Sequence, residues 1–290
     1  MNEIVYRMYT QAELDAQYNA RNVVPAFDAF VQRWRSASEK VIQKFPCTLD
    51  VSYGDDPVEI LDIFHPQGGG PAPILMFFHG GYWRAGDKSW FRYLAKPFVE
   101  RGAVFVVPKY GLCPAFRMDE LVAQCRRAVA WTQRHAVNFG GDAARLFVSG
   151  HSAGGHIAGM MLVTDWEGDY GIPANAIKGV TGISGLYDLE PIRLSQVNGP
   201  LRLTADDARR NSPVKLPLPF ASLPAILAFG SLESQEYSRQ TAAYADVLGD
   251  VGGATLSLEV AGHHHFSILD AFGNPAHLLG QAVLAQLGLA

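Results

Sequence analysis

From Ile74 onward the chain alternates short apolar runs of β-type residues with longer stretches patterned for helix, and this alternation restricts the folds open to it more than any other feature. The runs are Ile74 to Phe78, Ala103 to Val107, Leu146 to Ser149, Gly179 to Ile183, Ala225 to Ala228 and Thr255 to Val260. Helix-patterned segments lie at Trp90 to Arg101, Asp119 to Phe139, Ala153 to Leu162, Glu236 to Leu248 and His277 to Leu287. An unbroken run such as Ile74-Leu75-Met76-Phe77-Phe78 suits a strand buried on both faces. Repeated βα units then predict an α/β fold with a mostly parallel central sheet and helices on both faces.

Three segments stand outside the alternation. Cys47 to Tyr53 and Val58 to Phe64 flank Gly54-Asp55-Asp56-Pro57, a turn-forming cluster that predicts a hairpin of antiparallel edge strands. Residues 10–35 read as an N-terminal helical arm, with Phe27, Phe30, Val31 and Trp34 at helical spacing. The stretch Glu190 to Ser222 is rich in proline, from Pro191 to Pro219, and predicts a small lid over the strand ends. The loop Gln67-Gly68-Gly69-Gly70-Pro71 joins hairpin to sheet. With no internal repeat and no low-complexity linker, one domain spanning 1–290 is expected.

Composition narrows the partners. A 290-residue chain that is 48% hydrophobic can bury a large core. Its net charge of -4, without a basic stripe, argues against nucleic acid. The polar N-terminus lacks a signal-peptide core and no apolar run approaches a membrane span, so the expected location is the cytoplasm and no membrane partner is expected. Cys47, Cys113 and Cys125 are far apart and outside metal-binding spacings, which suits reduced thiols. A homodimer is compatible with these features.

The chemistry centres on Leu146 to His156, where a β-type run enters Gly150-His151-Ser152-Ala153-Gly154 and a helix-patterned segment follows. In a G-x-S-x-G turn between strand and helix, the serine is held on a strained backbone with its hydroxyl above the sheet edge. With 29 glycines in the chain, the five letters alone recur by chance. A serine nucleophile needs an imidazole base and an acid to orient it, supplied in the chain order Ser, acid, His. After Pro224 to Gly230 the loop offers Glu233, with Glu236 as the alternative. After the last strand come His263, His264 and His265, adjacent rather than at zinc-ligand spacing. A solvent-exposed histidine turn is the plainer reading of the three. The glycine-rich His79-Gly80-Gly81-Tyr82-Trp83 follows an earlier strand, so the N-H groups of Gly80, Gly81 and Ala153 are the candidate oxyanion donors. No metal or cofactor is required for this chemistry.

These residues resemble the α/β-hydrolase superfamily and, within it, the kynurenine formamidase (arylformamidase)-like esterases, over almost the whole chain. The most specific match is His79-Gly80-Gly81-Tyr82-Trp83, where the hormone-sensitive-lipase-like esterases carry a third glycine in place of Tyr82. Gln17-Tyr18-Asn19-Ala20-Arg21 is similar to the family's Q-Y-x-x-R opening, and His265-Phe266 to its H-F signature. Gly185-Leu186-Tyr187-Asp188-Leu189-Glu190-Pro191 and Asn211-Ser212-Pro213 resemble the segments bordering the family's lid. The resemblance implies a serine hydrolase with Ser152 as nucleophile, His265 as base and Glu233 as the acid, where the wider superfamily more often has Asp. It also implies a small-acyl aryl amide or ester as the small-molecule substrate. Tyr82, Trp83, Tyr187 and Phe266 are candidates for an aromatic pocket wall. A general short-chain carboxylesterase is the alternative enzyme. A ligand-binding protein on a hydrolase scaffold is the alternative of another class, and it should lack part of the triad.

Overall fold

The computed structural model describes residues 3–24, 26–68, 70–219 and 223–290. Position 25 of the arm, Gly69 of the predicted loop and the last three positions of the predicted lid lie outside the described residues. The strands are β1 (Ile4–Tyr6), β2 (Tyr9–Thr10), β3 (Cys47–Ser52), β4 (Ile60–Phe64), β5 (Ala72–Phe78), β6 (Val104–Pro108), β7 (Gly141–His151), β8 (Ile177–Ile183), β9 (Ala225–Gly230) and β10 (Thr255–Val260). β1 and β2 form a short antiparallel ribbon, and the other eight form one sheet in the order β10-β9-β8-β7-β5-β6-β4-β3. Neighbours from β10 to β6 pair in parallel, whereas β4 is antiparallel to both β6 and β3. This is the α/β-hydrolase arrangement, a mostly parallel sheet with an antiparallel hairpin at one edge.

The period of two in each strand explains the two cores. On β5, Ile74, Met76 and Phe78 face one apolar cluster, and Leu75 and Phe77 face the other. On β6, Val104 and Val106 point to the first side, Phe105 and Val107 to the second. Three helices, α5 (Met118–His135), α6 (Ala153–Leu162) and α11 (Gln235–Asp250), cover the first face with Leu121, Val122, Ile157 and Tyr244. The second face is covered by α3 (Phe27–Lys44), α4 (Ala95–Val99), α12 (Ile268–Phe272) and α13 (Leu278–Gln286), through Trp34, Phe98, Phe272 and Leu279. A sheet covered this way needs apolar residues at every strand position, which is why the central strands read as continuous runs. No helix among the described residues is long and apolar enough to cross a membrane.

Two expected elements differ in form. The arm is three helices, α1 (Gln11–Gln17), α2 (Ala20–Val23) and α3, and the last runs on to Lys44. The expected helix from Trp90 to Arg101 is instead two single 3-10 turns, Lys88–Trp90 and Arg92–Leu94, followed by α4. Pro97 has no N-H to bond back to the Tyr93 carbonyl, so it is tolerated only in a first turn, and α4 begins two residues before it. Ahead of α4, Lys88 and Arg92 both reach the fully buried carboxylate of Asp62 on β4, which ties this segment to the sheet. Segment 190–219 contains short helices, α8 (Glu190–Leu194), α9 (Asn198–Leu201) and α10 (Ala205–Arg210), with a 3-10 turn at Pro213–Lys215. One more short helix, α7 (Trp166–Tyr170), follows α6.

Candidate active site

The turn from β7 into α6 carries Ser152 at φ 57° and ψ -118°, in the left-handed half of conformational space that a side chain rarely occupies. Such a conformation costs on the order of 1–3 kcal/mol and persists only where its surroundings enforce it. Here the Ser152 N-H donates to the Ile183 carbonyl at 2.8 Å, and the Ser152 carbonyl accepts from the His156 N-H at 3.0 Å. A Cβ on Gly150 would collide with the Gly154 carbonyl, and one on Gly154 with the Phe78 carbonyl. The two glycines of the motif therefore let the turn seat against the end of β5.

Three side chains from three loops converge on that turn. His265 Nε2 lies 3.0 Å from Ser152 Oγ, and His265 Nδ1 donates to Glu233 Oε1 at 2.5 Å. The other oxygen of Glu233 accepts from Ser184 Oγ and from the Gly230 N-H, each at 2.7 Å. Ser184 and Gly230 lie at the ends of β8 and β9, so the acid is held by the sheet itself. Glu236 is occupied elsewhere: it pairs with Arg239 through two bonds of 2.8 and 2.7 Å and accepts from Tyr18 Oη at 2.7 Å. The three adjacent histidines diverge, because His263 Nδ1 donates to the Ser267 carbonyl and His264 Nδ1 accepts from the N-H groups of Phe266 and Ser267. Imidazole bonded on one side to a carboxylate and on the other to a hydroxyl can take the hydroxyl proton as an attack begins.

His151, the residue between glycine and serine in the motif, has a part that sequence reasoning missed. Its Nε2 donates to the His265 carbonyl at 2.7 Å, bracing the loop that carries the imidazole. Burial, and secondarily the neighbouring His265, hold its pKa well below the usual histidine value, so it remains neutral.

The loop after β5 turns under equally tight constraints. Gly81 sits at φ 128°, where a Cβ would collide with the Ala85 carbonyl, and the Gly81 carbonyl accepts from the N-H groups of Arg84 and Ala85 at 3.1 and 3.0 Å. His79 is buried and stacked on Tyr110 at 4.5 Å, and its Nδ1 donates to the Gly80 carbonyl at 2.8 Å. Tyr82 Oη donates to the Tyr18 carbonyl at 2.6 Å and lies 2.9 Å from Tyr237 Oη, so the N-terminal arm is bonded directly to the glycine-rich loop. Gly80 packs against Ser152, Gly81 lines the same cavity, and Ala153 follows Ser152 with its N-H in the first turn of α6, where no helical acceptor exists.

A cavity of about 240 Å³ opens onto Ser152 and His265, and Tyr82 and Phe266 are among its walls. Trp83 and Tyr187, expected beside them, are not. Trp83 is fully buried with its Nε1 donating to His156 Nδ1 at 3.2 Å. Tyr82 and Trp83 both take positive φ, 50° and 52°, and the bonds of Tyr82 to Tyr18 and of Trp83 to His156 hold the first ring at the cavity and the second in the core. Tyr187 stacks on Tyr244 at 4.5 Å and fills the space left by Gly182 and Gly185, out of reach of the cavity. The arm supplies much of the remaining wall through Tyr18, Arg21, Phe27 and Trp34, while the predicted lid contributes Gln196 and Val197.

His156 joins three parts of the site. It lies on α6, accepts from Trp83 of the glycine-rich loop, and donates from Nε2 to the Asn211 carbonyl of the segment after α10 at 2.7 Å. Burial pushes its pKa down to about 4 from the ordinary 6.5. The unfolded chain therefore binds more protons between these values, and stability present above pH 6.5 is lost as pH falls through 4, by about 3 kcal/mol from this group. Thermal unfolding from pH 8 to 4.5 should show that loss, with a shallower dependence in His156→Gln, whose amide keeps both hydrogen-bonding roles. Identical pH profiles for the two proteins would contradict it.

Residues 75–267 match a family model described as alpha/beta hydrolase fold. Over almost its full length the chain is similar to kynurenine formamidase of Danio rerio, at 33% identity with 98% of each chain covered. It is 31% identical to kynurenine formamidase of Salmo salar, covering 97% of this chain and 95% of that one. Its fold superposes on a crystal structure of a protein from Silicibacter sp. TM1040 with a TM-score of 0.81 at 27% identity, covering 96% of this chain and 98% of the other. Likeness that runs through arm, sheet and loops alike, on the same fold, assigns the whole chain and not the serine turn alone: it belongs to the α/β-hydrolase family and, within it, to the kynurenine formamidase-like esterases.

Proposed function

We propose that the protein is a serine hydrolase that cleaves small-acyl aryl amides, an arylformamidase with N-formylkynurenine as its foremost substrate and small aryl esters as secondary ones. The observation that carries this reading is the chain of bonds from Glu233 through His265 to Ser152 at the floor of the cavity. Ser152 Oγ attacks the formyl carbon while His265 Nε2 takes its proton, and the oxyanion is met by the N-H groups of Gly80, Gly81 and Ala153. The C-N bond then breaks as His265 returns the proton to the departing arylamine. Water, deprotonated by the same imidazole, releases formate from the formyl-serine. Glu233 keeps the imidazole in the tautomer these transfers need.

Size favours a short acyl group. The cavity, at about 240 Å³, is smaller than the roughly 300–1,000 Å³ usual for drug-sized ligands, which suits one aromatic ring with short substituents. Tyr82, Phe266, Phe27 and Trp34 offer ring faces and edges to a flat leaving group. The names of the two fish relatives support the same class. The three free thiols, Cys47, Cys113 and Cys125, support the cytoplasm as its compartment.

The test is kcat/KM on one aryl leaving group across acyl lengths from formyl to octanoyl, with N-formylkynurenine beside them. Rates should be highest at formyl and acetyl and fall at least about tenfold by octanoyl, since a crowded site resists added methylenes. Rates that rise toward octanoyl would contradict the reading and make the protein a general carboxylesterase.

A further inference from the structure

Among the described residues the charged side chains lining the cavity are Arg21 and Arg84, with no aspartate or glutamate, although the chain carries a net charge of -4. Among the described residues neither guanidinium has a carboxylate within ion-pair distance. Two like charges beside one cavity repel each other, and an anion bound between them removes that repulsion.

The two arginines come from different parts of the chain and line the same cavity. Arg21 lies on α2 and its guanidinium sits 4.2 Å from the centre of the Phe27 ring. That ring packs 4.8 Å from Phe266, the neighbour of His265 in the chain. A guanidinium laid over an aromatic face is held in place while its N-H groups stay free to donate. Arg84 follows the glycine-rich loop, with its backbone N-H bonded to the Gly81 carbonyl at 3.1 Å. Both side chains are solvent-exposed at the cavity edge, and Ser152 is buried at its floor.

We propose that Arg21 and Arg84 bind a carboxylate carried by the leaving group, so that the enzyme selects anionic aryl amides or esters over neutral ones. This rests on Ser152 acting as the nucleophile of a small-acyl hydrolase. The acyl side has no room for a charged arm when the acyl group is formyl or acetyl, so the anion belongs to the leaving side. Planar guanidinium donors match a carboxylate's two oxygens, and charge-assisted bonds of this kind are the strong ones. The arm thereby acquires a role in specificity.

The test uses two substrate pairs, an aryl formamide and an aryl acetate, each with a side chain ending either in a carboxylate or in the isosteric carboxamide. The wild-type enzyme should prefer the carboxylate by about tenfold or more in kcat/KM, mostly through KM. Arg21→Gln and Arg84→Gln should each shrink that ratio, raising KM for the charged substrate far more than for the neutral one. Arg21→Lys and Arg84→Lys should recover part of it, and added NaCl should weaken it because both arginines are exposed. A ratio near one in the wild-type enzyme, or a preference that neither Gln variant alters, overturns the assignment. Turnover of the acetates without the formamides overturns the formamidase reading while the charge ratio still decides the role of the arginines. Turnover of neither pair overturns both.

Discussion

Ser152→Ala and His265→Ala are each expected to lower kcat by about 10⁴-fold or more, and the double variant to be little worse than either alone. In the proposed mechanism the two groups act as one unit, since the hydroxyl would be a nucleophile only while Nε2 at 3.0 Å can take its proton. Either loss leaves the cavity and the N-H groups proposed to meet the oxyanion, to which a residual rate is expected to be due. Alanine at position 152 keeps the backbone bonds of that turn, from its N-H to the Ile183 carbonyl and from its carbonyl to the His156 N-H. Removing His265 strips one oxygen of buried Glu233 of its partner, so a stability loss of about 1–3 kcal/mol accompanies the kinetic one. Circular dichroism and a melting curve separate that from unfolding. His263→Ala and His264→Ala should cost far less, because their ring nitrogens bond within their own turn. Near-wild-type rates in folded Ser152→Ala or His265→Ala protein would sink the triad, and a loss at His264 equal to that at His265 would move the base.

Glu233→Gln should lower kcat by roughly 10³- to 10⁴-fold, with KM little changed. The glutamine amide can donate to Nδ1 where the carboxylate accepted from it. That substitution favours the tautomer with hydrogen on Nε2, which can no longer take a proton from Ser152. Ser184 and the Gly230 N-H hold the other oxygen, so the side chain stays in place and the fold should survive. Glu236→Gln should change kcat by less than about tenfold. Its cost falls on stability instead, because Arg239 and Tyr18 both depend on that carboxylate. Steady-state kinetics on the two purified variants give the answer, and a larger kcat loss at 236 than at 233 would exchange their roles.

What could be read from the chain alone was what local pattern determines. Each strand of the large sheet follows from an apolar or β-type run, and the Ser152 turn from its glycines between a strand and a helix. Chain order leads to the loop holding Glu233 and Glu236 and to the turn His263-His264-His265, since loops after successive parallel strands open at one edge of the sheet, and the H-F resemblance singles out His265. What could not be read depends on backbone signs and on distant partners. Nothing in Tyr82-Trp83 announces that both residues take positive φ, or that Tyr82 meets the cavity and Trp83 the core. Tyr187 had a legible clue in Gly182 and Gly185, whose missing side chains make room for its ring. The bond from Ser184 to Glu233 spans 49 residues, and that from Tyr82 to the Tyr18 carbonyl spans 64. Pairings at such range have no periodic signature. The Q-Y-x-x-R opening did single out Tyr18 and Arg21, and the structure shows what they touch: Tyr82 and Glu236 for the first, the cavity and Phe27 for the second.

The most direct measurement is to treat the folded protein with a fluorophosphonate, then determine its intact mass and locate the adduct in a digest. The account predicts one phosphonyl group per chain, on the peptide carrying Ser152, with loss of hydrolytic activity in step with labelling and no labelling of Ser152→Ala. An unmodified protein, or an adduct on another serine with activity lost, would contradict it.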